Sequence, residues 1–499
     1  MESEPVVIEP VPENSGMTRG GVISLVYALC CFAAAYLFVS LVPISDSPLG
    51  FFVLSAAFYG VSLVVGLLLG AKLRPMSILT LVMGLIIAAY RLIRGSVDMD
   101  IFPVFVFSGV FYELFILSLF GNNSFSLGGG FLLDIVKGFV YMFTSFASFF
   151  VAVFKPLGKR KGSKNVLFII IGAVAALVLV LIVGSLLSFD KNFVKLLPKI
   201  DLDDILEILP KLLLAVPIAA MIFSVFASSR KNMLPKLSSR ETSENLGKRA
   251  KVIPAAIVIL PIAAVLVVYV LFFVSQWAYY MSAFTHTLPE GYTFAEYARQ
   301  GFFNLCVVAV INSVLIIVLS CFTKTKSVWS GRGVGILKIL LSLATLVLIA
   351  TAVSKMFLYI DSYDLTRERL AVTVFLAFLA IAFIIVIFST IIKRMKAIPV
   401  IICVGLLMLA AFSLVNTNRF IAKYNVDSYL SGKHENIDVS FLRDDLGLSA
   451  LPELKRLREN AKDQKVKNEA LSAISETSLH TLDLKWYEQS IPYWDAKRK

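Results

Sequence analysis

LAVTVFLAFLAIAFIIVIFSTII, from Leu370 to Ile392, is a run of 23 residues without a charge. It is closed by Arg367 and Arg369 on one side and by Lys393, Arg394 and Lys396 on the other. A helix rises 1.5 Å per residue, so a run of this length spans the roughly 30 Å hydrocarbon core of a bilayer. Comparable apolar stretches lie near 21–42, 50–70, 76–92, 101–120, 166–188, 210–228, 253–277, 301–322, 335–359 and 397–415. With Leu370–Ile392 they make eleven expected crossings. The fold class that follows is all-α, a polytopic transmembrane helical bundle with hydrocarbon as its main solvent.

Composition agrees. Apolar and aromatic residues make up 58% of the 499, and only 16% are charged, against about 25% charged in soluble chains. The net charge of +13 is uneven. From Asn416 onward 14 basic residues meet 13 acidic ones, so the first 415 residues carry +12. Short basic loops between apolar runs face anionic lipid and set topology. Nucleic acid would require a contiguous basic face on a folded soluble module and is not an expected partner. All five cysteines (Cys30, Cys31, Cys306, Cys321 and Cys403) fall inside apolar runs, which leaves neither a disulfide framework nor a metal-binding CxxC.

Lys and Arg alternate in density from loop to loop. Counting the leader, one set of alternate loops holds 23 and the other holds 10. The positive-inside rule then places the amino terminus in the cytoplasm, and eleven crossings leave the tail extracytoplasmic. Residues 1–18 are acidic and proline-bearing, as in a disordered cytoplasmic leader. The remaining units are a four-helix membrane part (19–120), a linking region (121–165), a seven-helix membrane core (166–415) and a small helical tail domain (416–499).

The linking region contains one ambiguous segment, 131–154. Asp134, Lys137, Tyr141, Ser145 and Ser148 recur at helical spacing opposite Phe139, Phe143, Phe146, Phe150 and Phe154, and a basic cluster follows. That pattern predicts an amphipathic helix lying in the membrane interface, with a twelfth crossing as the alternative. In the tail, Asp438 is placed to cap a helix from Val439, Gly447 to end it, and Ser449 to cap the helix containing Pro452.

Chemistry-bearing patterns are sparse. His286, His434 and His480 are far apart, and Gly128 to Gly130 lack the Lys-Ser/Thr of a phosphate loop. No catalytic residue, metal site or cofactor is expected. Charged and amide groups at membrane depth are costly unless paired or wet. Glu113 and Asn312 are therefore candidates, Glu113 either for a cation or proton site or for an ion pair with Lys137, Lys72 or Arg74. Lys355 is placed to snorkel to the boundary.

Polar text concentrates on the outer side: LPEGYTFAEYARQGFF from Leu288 to Phe303, DLTRER from Asp364 to Arg369, and IAKYN from Ile421 to Asn425. Asp438 and the SALPE turn from Ser449 to Glu453 follow. Together these resemble a family of polytopic bacterial membrane proteins catalogued only as a domain of unknown function. The likeness runs from about residue 130 onward. This chain departs from the family at Gln300, which stands in a usually acidic position. The resemblance implies a bacterial cytoplasmic membrane protein and supplies no reaction.

Glu296 and Arg299 are three apart on one helical face, next to Tyr297. Arg367 and Arg369 are within reach of Asp361, Asp364 or acids of the tail. With Tyr424 and Asn425 these residues are expected to form a clasp tying tail to bundle. The alternative is an anion site for a lipid headgroup or an envelope sugar phosphate. Three functions fit this text. One is an interaction or envelope-sensing protein with membrane lipids and an envelope or lipid-linked partner. The others are a transporter or lipid carrier with a cavity near Glu113 and Asn312, and an intramembrane enzyme acting on lipid or glycan.

Overall fold

The computed structural model describes residues 19–41, 47–95, 101–121, 129–154, 202–231, 233, 251–275, 302–324, 328–392, 394–479 and 484–498. The expected crossing at 166–188 lies outside them. Six helices precede that gap: α1 (Arg19–Leu41), α2 (Pro48–Leu68), α3 (Pro75–Arg94), α4 (Ile101–Phe120), α5 (Gly129–Thr144) and α6 (Ala147–Phe154). After it come α7 (Leu202–Lys231), α8 (Ala255–Ser275), α9 (Phe302–Ile317), α10 (Val328–Tyr363), α11 (Arg367–Ile391) and α12 (Ala397–Leu414). The tail comprises α13 (Thr417–Leu430), α14 (Val439–Asp444), α15 (Leu451–Asn460), α16 (Gln464–Leu479) and α17 (Ile491–Arg498). Among the described residues the only strands are the two-residue Ile253–Pro254 and Thr323–Lys324, which pair in parallel.

The protein is an all-α polytopic bundle. Ten of the described helices are long and apolar enough to cross a membrane, or eleven if α5 and α6 form one bent span. Their lipid-facing sides remain apolar: Leu260 of α8 is 75% exposed, and Val274, Leu271 and Leu407 are also open. Water would not tolerate apolar patches of that extent, and hydrocarbon does.

Inside, the buried apolar residues form three clusters. An aromatic cluster of Tyr27, Tyr59, Tyr112, Phe115, Tyr141, Phe149, Phe223 and Phe226 joins α1, α2, α4, α5, α6 and α7. Within it the Tyr27 hydroxyl lies 2.5 Å from that of Tyr112 and 2.9 Å from Ser62 Oγ. Such interhelical hydrogen bonds are the glue of helices that gain nothing from hiding apolar surface from lipid. The second cluster runs through α8, α9, α10 and α11 and continues without a break into the tail. It includes Leu341, Leu348, Leu376, Ile421, Leu454, Leu457 and Ala470. Phe51, Met83, Ile87 and Leu114, with Ile402 and Leu406 of α12 against them, form a third cluster on the α3–α12 side.

The 131–154 segment bends by 51° between α5 and α6. Its polar stripe points into the bundle: Asp134, Lys137, Tyr141 and Ser145 are buried, and Val136, Phe139 and Phe143 are exposed. The break leaves backbone groups to be satisfied. Ser224 of α7 does this, donating to the Tyr141 carbonyl at 2.6 Å and accepting from Ser145 N–H at 3.0 Å. A hydroxyl inserted into the ladder is a recognised cause of a kink. The stripe thus serves interior contacts; Phe139 and Phe143 face outward, whereas Phe146 and Phe150 pack against the aromatic cluster.

Candidate functional site: the contact between tail and bundle

Asp364, Leu365 and Thr366 make the short turn from α10 to α11. Asp364 adopts a φ of 64°, the left-handed region that aspartate tolerates better than most residues. The turn's exposed backbone is taken up by the tail. Asn425 of α13, 3% exposed, accepts from Leu365 N–H at 2.9 Å and donates to the Leu365 carbonyl at 3.0 Å. One amide thus pairs both main-chain groups of a buried residue, as a strand neighbour would.

Charges surround this pair. Arg367 donates from Nε to Asn418 Oδ1 at 3.0 Å and from its guanidinium to the Asp445 carbonyl. Arg369 donates to the carbonyls of Tyr363, at 2.5 Å, and Asp364, and stacks 4.2 Å over the Tyr359 ring. Both guanidiniums are therefore turned to main-chain oxygens and an amide. At the exposed edge Asp361 Oδ1 receives Lys433 Nζ at 2.6 Å and the Tyr424 hydroxyl at 3.2 Å.

His434 links the same loop. Its Nε2 lies 2.6 Å from the Asp361 carbonyl, which can only accept, so that nitrogen carries a hydrogen. Its Nδ1 lies 2.5 Å from Asp364 Oδ1. Burial pushes the Asp364 carboxyl above its usual range, against the opposing pull of His434 and Arg369. The Asp361–Lys433 pair is more than 40% exposed on both sides, and such pairs contribute about 1 kcal/mol or less. The buried Asn425 contacts therefore dominate the clasp.

A second contact closes the far side. Helix α3 ends at Arg94, and a helix end leaves carbonyls without intrahelical partners. The tail supplies the partners. Asn416 Nδ2 donates to the Ile93 carbonyl at 3.0 Å, Ser449 Oγ to the Arg94 carbonyl at 2.7 Å, and Asn418 Nδ2 to the same carbonyl at 3.5 Å. Ser449 is thus spent on α3, and α15 begins without a side-chain cap. The Asp438 cap forms, accepting from Phe441 N–H at 2.9 Å. Arg94 itself stacks on Tyr90 and Phe412 and donates to the Phe412 and Val415 carbonyls, tying α3 to α12. Asn418 belongs to both contacts, and sequence reasoning missed it. Its only local signal is Asn416 and Asn418 directly after an apolar run.

Asp361, Arg367, Arg369, Tyr424 and Asn425 fall in this one region. Glu296, Tyr297 and Arg299 lie outside the described residues. Asn312 is elsewhere, fully buried, accepting from the Tyr269 hydroxyl at 2.8 Å and donating to Thr345 Oγ1 at 2.9 Å. Its amide stitches α8, α9 and α10 together. Glu113 is on α4, 3% exposed. Lys355 is 1% exposed rather than reaching for the boundary. Helix α10 continues eight residues beyond it, and Met356 and Ile360 nearby are buried in the cluster shared with the tail.

The geometry is that of a lock, with polar groups committed to one another and to backbone. Among the described residues no group of three or more His, Cys, Asp or Glu is placed to hold a metal. A family model described as Domain of unknown function (DUF4153) matches residues 32–457. The chain belongs to that family. The DUF4153 match runs from within α1 into α15, so it takes in both halves of the lock, and α16 and α17 lie beyond it. Comparison with curated proteins and with solved structures finds no match.

Proposed function

We propose that this DUF4153 protein is a non-enzymatic envelope interaction or sensing protein of the bacterial cytoplasmic membrane. In this reading its amino terminus is cytoplasmic, its helical tail is held rigidly on the extracytoplasmic face, and its partners are membrane lipids and an envelope or lipid-linked component. One observation carries the reading. The tail shares a continuous apolar core with α8 to α11, and the Asn425 amide pins it to the α10–α11 turn. A tail so attached passes a contact on its surface to the membrane helices instead of hanging from a linker. The test has two parts. Alkaline phosphatase fused after Lys499 is expected to be active, and activity confined to a cytosolic reporter overturns the sidedness. A strain lacking the gene, complemented with Asn425→Leu, is expected to retain the null phenotype although the bundle accumulates. Full complementation with a demonstrably released tail would sink the sensing role.

A second reading, proton or cation passage, is favoured by Glu113. Its Oε1 is buried without a hydrogen-bond partner, and among the described residues it pairs with none of Lys137, Lys72 and Arg74. It presses on α5 so closely that a Cβ at Gly138 would meet its Oε2 at 2.5 Å. A buried carboxyl beside a broken helix is where membrane proteins place ion sites. In liposomes containing a pH-sensitive dye, this reading expects proton flux that falls at least tenfold in Glu113→Gln. Equal flux in both proteins, or none in either, rejects it.

A further inference from the structure

The tail contains a cleft of 460 Å³ that begins at the second contact and extends beyond it. Asn416 and Ser449 line it, and Arg419, Lys455, Arg456 and Arg498 contribute four cations against the carboxylates of Glu459 and Asp495. The four are not equivalent. Arg456 is spent on Asp427 at 2.5 Å and Glu453 at 3.2 Å. Arg419 reaches Asp495 only at 3.9 Å, with both side chains about half exposed. Lys455 and Arg498 have no hydrogen bond or ion pair among the described residues. Three cationic groups thus border one opening with most of their donors unspent.

Its position is equally specific. Asn416 and Ser449 are the residues that hold the final carbonyls of α3, whose apolar span ends at Arg94. Asn416 also follows the α12 span, which ends at Leu414, by two residues. The cleft therefore opens where a bilayer's headgroups begin. Trp486 nearby in sequence is 57% exposed and stacked edge-on against Tyr487, whose Cβ lies on Gly50 at the start of α2. Exposed tryptophan at that level is what the interfacial aromatic belt consists of.

We propose that this cleft binds a phosphate-bearing group at the membrane surface, with Arg419, Lys455 and Arg498 as its cationic contacts. Guanidinium forks and an ammonium match phosphate oxygens in both charge and donor geometry. The inference rests on the sensing reading only in naming what the tail recognises. The test uses the full chain in neutral detergent. Its thermal midpoint is followed during titration with phosphatidylglycerol, with phosphatidylcholine as reference, and separately with glycerol 1-phosphate. Phosphatidylglycerol is expected to stabilise the protein, at a half-saturating concentration at least tenfold lower than in Arg419→Gln/Lys455→Gln/Arg498→Gln. A response to lipid alone assigns the phosphate to a headgroup, and a response to glycerol 1-phosphate as well assigns it to a soluble ester. Absence of both responses, or an unchanged response in the triple variant, overturns the site. So does an equal loss in Arg443→Gln/Arg458→Gln, which removes tail charge outside the cleft. If the triple variant does not accumulate, Lys455→Gln, which breaks no contact, is expected to weaken binding about threefold. Binding can fail while Asn425→Leu still loses function in cells, so this inference and the sensing reading fall separately.

Discussion

Asn425→Leu is expected to speed cleavage of the tail by trypsin about a hundredfold in the folded, detergent-solubilised protein. Leucine fills a similar volume but leaves both the N–H and the carbonyl of Leu365 buried without partners. Each such group costs about 1–3 kcal/mol, so a sum near 3 kcal/mol is expected. Cleavage through local opening follows the opening equilibrium, and about 1.4 kcal/mol is a factor of ten. The contrast is Lys433→Ala. It removes an exposed ion pair to Asp361 and is expected to change the rate by no more than about fivefold, the worth of roughly 1 kcal/mol. Equal rates in wild type and Asn425→Leu would mean the tail is held by its apolar core alone.

Gly84→Val is expected to have an effect of similar size on the membrane part. A Cβ at Gly84 would lie 2.1 Å from the Tyr59 hydroxyl and 2.5 Å from its ring carbon. Tyr59 cannot move aside, because its ring is wedged against Tyr112 and Phe115 at centroid distances of 5.6 and 5.5 Å. The helices α2 and α3 must separate, and overpacking of this kind costs about 1–3 kcal/mol. Gly60→Val supplies the control, since nothing lies within 4 Å of a Cβ there and the added side chain meets lipid. The measurement is the thermal midpoint by size-exclusion chromatography. A fall of several degrees is expected for Gly84→Val and essentially none for Gly60→Val. Matching midpoints would show that the α2–α3 contact yields easily.

The membrane spans were legible because twenty apolar residues in a row have few other solutions, and Leu370–Ile392 matches α11 closely. The Asp438 cap was legible because it is local, spanning three residues. Pairings across the chain were not. Ser449 reads as a helix cap from its neighbours, but its hydroxyl is taken by Arg94, 355 positions away. No spacing announces that Asn418 will bridge Arg367 and the end of α3. The stripe of Asp134, Lys137 and Tyr141 told which residues share a face but not whether that face meets water or protein, since either environment satisfies polar groups. The cleft cations were illegible for a related reason. Arg419, Lys455 and Arg498 belong to three helices that only the tertiary fold brings around one opening.

The 36 residues of α10, uninterrupted by proline, amount to a stiff rod about 54 Å long at 1.5 Å per residue. It outreaches the hydrocarbon layer, and the pinned turn is fixed to one tip. With no joint along its length, a lean of about 5° at that tip swings the other by about 5 Å. A nudge delivered on one surface of the membrane would thus arrive on the opposite surface as a displacement large enough to uncover or bury a side chain.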